Sequence, residues 1–180
     1  MKRAIMPILL MVAVSIAAGG EFVNVRRSLV AQRAEIDEQW DELSAAFESR
    51  AALIANLAEM IQPFADPHDR AFSDAASAHA ALVQAEAPQA KIEANARLMN
   101  AFARLYLAAE GHAKLTSSAG YRRLNEELGN AESEVAIERR KYNDLLEHYN
   151  AQLQRFPENV VAGLSGLTRI DAYVRTEQEQ

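Results

Sequence analysis

The sequence predicts an all-α protein, an elongated antiparallel up-and-down bundle of three long helices followed by a short C-terminal helix. Three observations carry this. Good helix formers dominate, with 35 alanines among 180 residues and abundant Glu, Gln, Arg and Leu. Glycine and proline number only seven and five, too few for a turn-rich β-sandwich or barrel. The apolar residues recur at steps of three and four, and no segment alternates as a strand does.

The chain opens with Met1, Lys2 and Arg3, and a nearly uninterrupted apolar run follows from Ala4 to Ala18. Fifteen residues rise about 22 Å as a helix, less than the roughly 30 Å of a bilayer's hydrocarbon core. Residues 1–20 therefore read as a signal anchor lengthened by its flanks, or as a signal peptide cut before Gly20, with Ala17 and Gly19 as the small residues ahead of the cut. A core helix of the folded body is the third reading. Lys2 and Arg3 ahead of the run favour a cytoplasmic N-terminus and an exported body, although Arg26 and Arg27 lie close on the far side. The body, residues 21–180, is the helical domain.

The first body helix is expected from about Asn24 to Ile61. Its seam is Leu29, Arg33, Ile36, Trp40, Leu43, Phe47, Arg50, Ile54, Leu57 and Ile61, alternating steps of four and three without a slip. The segment Gln62–Pro67 is a turn. A second helical piece runs from about Pro67 to Leu115, with Phe72, Ala75, His79, Leu82, Ile92, Ala96, Met99, Phe102, Tyr106 and Ala109 as its stripe. Pro88 should kink or break it between Glu86 and Gln89. The third helix runs from Ser118, a candidate N-cap, to Phe156. Its seam is Tyr121, Leu124, Leu128, Ala131, Val135, Glu138, Tyr142, Leu145, Tyr149, Gln152 and Phe156. Pro157 suits the first position of a last helix that carries Val160, Val161, Leu164, Leu167 and Ile170. Gly163 and Gly166 weaken that helix or admit a close neighbour. An intermolecular coiled coil is the rival arrangement, but proline-bearing turns between rods of similar length favour packing within one chain.

Composition narrows the function classes. Without cysteine there are no disulfides, thiolate metal sites, cysteine-ligated iron–sulfur clusters or thiol nucleophile, and no lipoprotein cysteine. The net charge is −6, and without residues 1–20 the body is more acidic still. With no basic stripe, nucleic acid is not an expected partner. None of His68, His79, His112 and His148 follows a glutamate by three residues, so the Glu-x-x-His pair of di-iron bundles is missing. No nucleophile motif or glycine-rich phosphate loop is present. The expectation is no catalytic residue, no metal and no cofactor.

Polar residues on the seams are the remaining candidates. Arg33 and Arg50 lie on the seam of the first helix, and Glu132, Glu138 and Arg139 lie on or beside that of the third. A buried arginine needs a partner, so Arg50 or Arg139 should meet a seam glutamate. Tyr142-Asn143 and Tyr149-Asn150 repeat at heptad spacing. Their ring–hydroxyl and amide groups suit an interhelical hydrogen-bond layer, or else a ligand or interaction surface.

These residues also carry a resemblance. Leu29-Val30, Arg33, Ile36 and Trp40, then Arg50, Leu53-Ile54, Asn56-Leu57, Glu59 and Phe64-Ala65, fall in the pattern of the LemA family. So do Leu128, Glu132, Val135 and Arg139, the paired Tyr142-Asn143 and Tyr149-Asn150, Phe156-Pro157, Ala162-Gly163 and Gly166. Arg26-Arg27, Ala55, Pro63, Gly111-His112-Ala113 and Leu167 depart from it. The resemblance implies a bacterial, membrane-anchored helical bundle of LemA type behind one N-terminal membrane segment, and it supplies no catalytic residue. The function expected is a noncatalytic interaction or scaffold protein. It would be held in the inner membrane with its body facing the periplasm or exterior, and its protein partner is unknown. The alternatives are a small-ligand sensor or carrier built on the polar layer, and, for location, a secreted or periplasmic body after cleavage near Gly20.

Overall fold

The computed structural model describes residues 2–64 and 70–172, with side chains described from residue 19 onward. Every regular element among them is helical. The chain divides into two compact units. The first joins residues up to Glu38 with Asn143–Asp171, and the second is built on Gln39–Tyr142. Two helices, α1 (Lys2–Ile61) and α5 (Ala119–Gln152), contribute to both.

Helix α1 is continuous across residue 20, where the sequence suggested a boundary. The apolar run Ala4–Ala18 falls on residues whose side chains lie outside the described set. Among the described residues, no helix is long and apolar enough to cross a membrane. The seam read from the sequence is the one that packs: Leu29, Ile36, Leu43, Phe47, Arg50, Ile54, Leu57 and Ile61 are all buried, while Arg33 and Trp40 are half-buried. Burying each large apolar side chain contributes roughly 1.5–3 kcal/mol. Helix α1 ends at Ile61, and a tighter 3₁₀ turn over Gln62–Phe64 carries Pro63, whose missing N–H and ring cannot continue an α-helix.

In the second unit, α2 (Arg70–Gln84) and α3 (Pro88–Glu110) pack side by side. Pro67, the expected start of this piece, lies outside the described residues, as does His68. Pro88 breaks the piece rather than kinking it. Ala87 has φ −82° and ψ 136°, the extended conformation that a following proline favours, and Pro88 opens α3 where its missing N–H does no harm. The stripe drawn for this region needs correction. Ala71, Ala75, Ala78 and Leu82 face the core from α2, and Lys91, Ala94, Leu98, Ala101, Leu105 and Ala109 from α3. The bulkier Ile92, Met99 and Phe102 are half-buried, and Tyr106 is exposed. The seam is therefore shifted by about one residue along α3. Alanine seams let two backbones approach closely, which leaves the larger side chains at the margins.

After Gly111 a single turn, α4 (Ala113–Thr116), buries Leu115. Ser118 then caps α5: the Tyr121 N–H donates to Ser118 Oγ at 3.2 Å. Residue numbers fall along α5 as they rise along α1, with Trp40 beside Tyr142 and Arg50 beside Glu132, so the two helices are antiparallel in this unit.

In the first unit, α5 stops at Gln152, four residues short of the expected Phe156. Phe156 is 83% exposed and belongs to no seam. Pro157 precedes α6 (Glu158–Ser165) rather than occupying its first turn. Helix α6 turns Val161 and Ala162 inward, and Leu164 is exposed. Gly163 has no neighbour within 4 Å of where a side chain would begin, so it admits no close packing. Gly166 ends the helix in the left-handed region at φ 69°, and its N–H donates to the Ala162 carbonyl. The Leu167 N–H meets that same carbonyl at 3.0 Å.

Candidate functional site: polar layers in the helical core

Three polar clusters cross the second unit. In the central one, Arg50 is only 2% exposed. Its Nη1 donates to Glu132 Oε2 at 2.9 Å and its Nη2 to Asn95 Oδ1 at 2.6 Å. The guanidinium carbon lies 5.9 Å from the Phe47 ring centroid. The Arg50 Nε is buried without a hydrogen-bond partner. Glu132, by contrast, is 34% exposed along its side chain. The pair thus joins a desolvated cation to a carboxylate that still reaches water.

Sequence reasoning missed the neighbouring cluster. Lys91, 7% exposed, donates from Nζ to Ser44 Oγ at 2.7 Å and also meets the Glu48 carboxylate. Lys91 and Asn95 stand one helical turn apart on α3 and together face α1. Charge hid them: a lysine in an alanine-rich stretch reads as solvent-facing. The usable signal was the three–four spacing of Lys91, Ala94, Leu98, Ala101 and Leu105, had alanine been weighted as core. The Lys91–Ser44 contact brings together the members of a lysine–serine nucleophile pair. Its ammonium is shared with Glu48, however, and none of the three residues lines the groove described below.

The third cluster centres on Glu138, which accepts from Gln39 Nε2 at 2.6 Å and from Lys141 Nζ at 2.9 Å. The hydrogen bond from Lys141, then that from Gln39, holds this carboxyl below its ordinary pKa against the opposing effect of burial. Nearby, the Trp40 and Tyr142 rings meet at 5.3 Å between centroids, tilted by 54°. Arg139 is half-buried on the same helix.

The second Tyr-Asn pair acts differently from the expected interhelical layer. Asn150, 4% exposed, donates from Nδ2 to the Ile170 carbonyl at 2.7 Å and accepts from the Ile170 N–H at 3.0 Å. Its amide thus satisfies both backbone groups of one residue, as a neighbouring strand would. Tyr149, fully buried, sends its hydroxyl toward the Thr168 carbonyl at 3.4 Å. Together they fasten the chain after α6 back onto α5. Gln152 accepts from Gln32 at 2.8 Å, which ties α1 to α5 in this unit. Asn143 and Arg33 are half-buried in the same unit. The structure does not gather the nine candidate residues into one site. Arg50 and Glu132 form one cluster, Glu138 another, Tyr142 a ring contact and Tyr149 with Asn150 a clamp.

A groove of 480 Å³ lies between α1, α2 and α3, lined by Ile54, Phe72, His79 and Leu98 with Glu59 and Gln62 at its rim. Among the described residues, no group of three or more His, Asp or Glu is placed to hold a metal ion. His112 packs against Phe64 and His148 bonds to Gln152.

Comparison with known proteins places this arrangement. No curated protein matches the chain. The family model that matches is described as the LemA family, and it covers residues 39–180. The match begins at Gln39, so the similar positions Leu29-Val30, Arg33 and Ile36 stand ahead of it. It takes in the Arg50, Glu138 and Lys91 clusters and the Tyr-Asn pairs. With most of its length so matched, the chain belongs to the LemA family.

Proposed function

We propose that this protein is a noncatalytic interaction or scaffold protein, attached to the inner membrane by its N-terminal run with its body outside the cytoplasm. The observation that carries this reading is how the buried charges are used. Arg50 and Lys91 are engaged by Glu132, Asn95, Glu48 and Ser44 inside the helical core, and none of these groups lines the groove between α1, α2 and α3. A buried ion pair is weak evidence for stability, and its best-attested use is to set packing register, which is the role this reading gives Arg50 and Lys91. The outer helical faces are then what remains to meet a partner. Attachment is supported by the apolar run behind Lys2 and Arg3 and accords with LemA membership.

Crosslinking in native membranes tests the proposal. Photo-reactive residues placed along the exposed faces of α3 and α5, for example at Leu107 and Ile137, should capture the same partner from neighbouring positions. Capture of no protein at any position would refute it. A reporter fused after Gln180 should be active only outside the cytoplasm.

A second reading, a small-ligand carrier, has one observation in its favour. The 480 Å³ groove falls in the size range of ligand sites and combines apolar walls with a few polar groups. Leu98→Trp would fill it. A carrier would lose its ligand with that change, whereas a scaffold would keep its partner.

A further inference from the structure

Helix α6 and the turn before it hold apolar groups that the first unit does not cover. Phe156, Val160 and Leu164 are 83%, 49% and 74% exposed. Val160 and Leu164 share one face of α6, and Phe156 stands in the turn ahead of it. The opposite face, Val161 and Ala162, is buried. A helix that is apolar on both faces is expected to be covered on both.

Its place along α1 indicates by what. Gln32 and Gln152 are bonded to each other and so stand at one level. Beyond Gln152 the chain turns, forms α6, and returns to Tyr149 and Asn150 through Thr168 and Ile170. Helix α5 therefore ends at the level of Gln32, and the turn Leu153–Pro157 leaves it from there. From Gln32 back to Gly20 is twelve residues, about 18 Å of helix, and the apolar run ends just before Gly20. The exposed Arg26, Arg27 and Arg155 belong to this stretch, against exposed Glu21 and half-buried Glu158. Exposed apolar side chains in a stretch with three arginines against two glutamates match a surface of acyl chains beneath anionic headgroups.

We propose that Phe156, Val160 and Leu164 form a second membrane contact, seated in the headgroup–acyl boundary of an anionic bilayer. This contact rests on the reading that residues 4–18 enter the membrane. It holds the first unit against the bilayer, so the body does not swing freely on its anchor.

The absence of cysteine makes single-site labelling direct. The full chain would carry a nitroxide at Phe156→Cys, Leu164→Cys, Leu107→Cys or Val12→Cys, in vesicles of equal parts phosphatidylcholine and phosphatidylglycerol. Collision with oxygen and with a polar nickel chelate would then be compared. The expected result is a several-fold oxygen excess at positions 156, 164 and 12 over position 107. Triple replacement of Arg26, Arg27 and Arg155 by Gln should lower the excess at 156 and leave that at 12 intact. If 156 and 164 match 107 while 12 reports lipid, the second contact is refuted and the anchor stands. If 12 reports water, the anchor itself fails. Spin–spin broadening at 156 and 164 that persists in detergent would show a second copy on this face and would also overturn the proposal.

Discussion

The Arg50–Glu132 pair should respond unequally to loss of its two members. Arg50 is 2% exposed and Glu132 34%. Replacing Glu132 by Ala strands a guanidinium in the core with Asn95 as its one remaining acceptor, and an uncompensated buried charge costs about 3–5 kcal/mol. Replacing Arg50 by Met removes the buried charge altogether. It also removes the orphaned Nε–H, an unsatisfied donor worth about 1–3 kcal/mol. The carboxylate left behind can hydrate. The two lost charge-assisted bonds, about 1.5–3 kcal/mol each, are thus largely offset, and the net loss should be about 1 kcal/mol. The double variant should behave like Arg50→Met, so the coupling in the cycle equals the full cost of Glu132→Ala, about 3–5 kcal/mol. Urea unfolding followed by helical circular dichroism reads these differences as midpoint shifts at constant slope. If Arg50→Met is as damaging as Glu132→Ala, desolvation of the arginine is not the governing effect and the argument fails.

Other consequences follow from the same geometry. Because Glu138 is held below its ordinary pKa, it contributes stability that is present above about pH 4.5, its unperturbed value, and is lost as pH falls through the depressed folded value. Glu138→Gln should flatten that acid limb of the stability–pH curve, and identical limbs in the two proteins would refute the assignment. Asn150→Ala leaves both backbone groups of Ile170 without their partner and should cost about 1–3 kcal/mol. Hydrogen exchange at the Ile170 amide should accelerate far more than at Leu128, and unchanged protection would argue against the clamp. Gly166→Ala meets no neighbour but must adopt φ 69°, so a loss of about 1–2 kcal/mol is expected from backbone strain alone. A neutral result in thermal unfolding would show that α6 can end another way.

How far the sequence could be read depended on how local each determinant was. The seam of α1 was legible because its members are large and fall at unbroken three–four steps, so helical period and burial agree. An interruption at Pro88 and the Ser118 cap are legible because each rests on one residue's covalent chemistry; that Pro88 breaks the helix instead of kinking it shows only in the structure. The α3 seam was not legible, because alanine gives little contrast and Lys91 looked like a surface charge. Its burial depends on Ser44 and Glu48, more than forty residues away. That Arg50 needs a partner is legible, but Asn95 is not, because the large apolar residues of α3 suggest a stripe about one residue out of phase with the seam that packs.

The candidate residues show the same division. The repeat of Tyr142-Asn143 and Tyr149-Asn150 is plain in the sequence, and the two copies look equivalent there. The structure gives them different work. Tyr142 meets an aromatic ring, while Tyr149 and Asn150 grip backbone some twenty residues downstream. A helix carries its periodicity within itself, so the sequence alone determined that this protein is helical, which residues of α1 turn inward, and the family to which it belongs. What lies opposite each polar side chain depends on which distant segment returns to meet it. Only the tertiary structure therefore decided that the buried cations pair across α1, α3 and α5, and that an asparagine amide binds a stretch of chain in place of another helix.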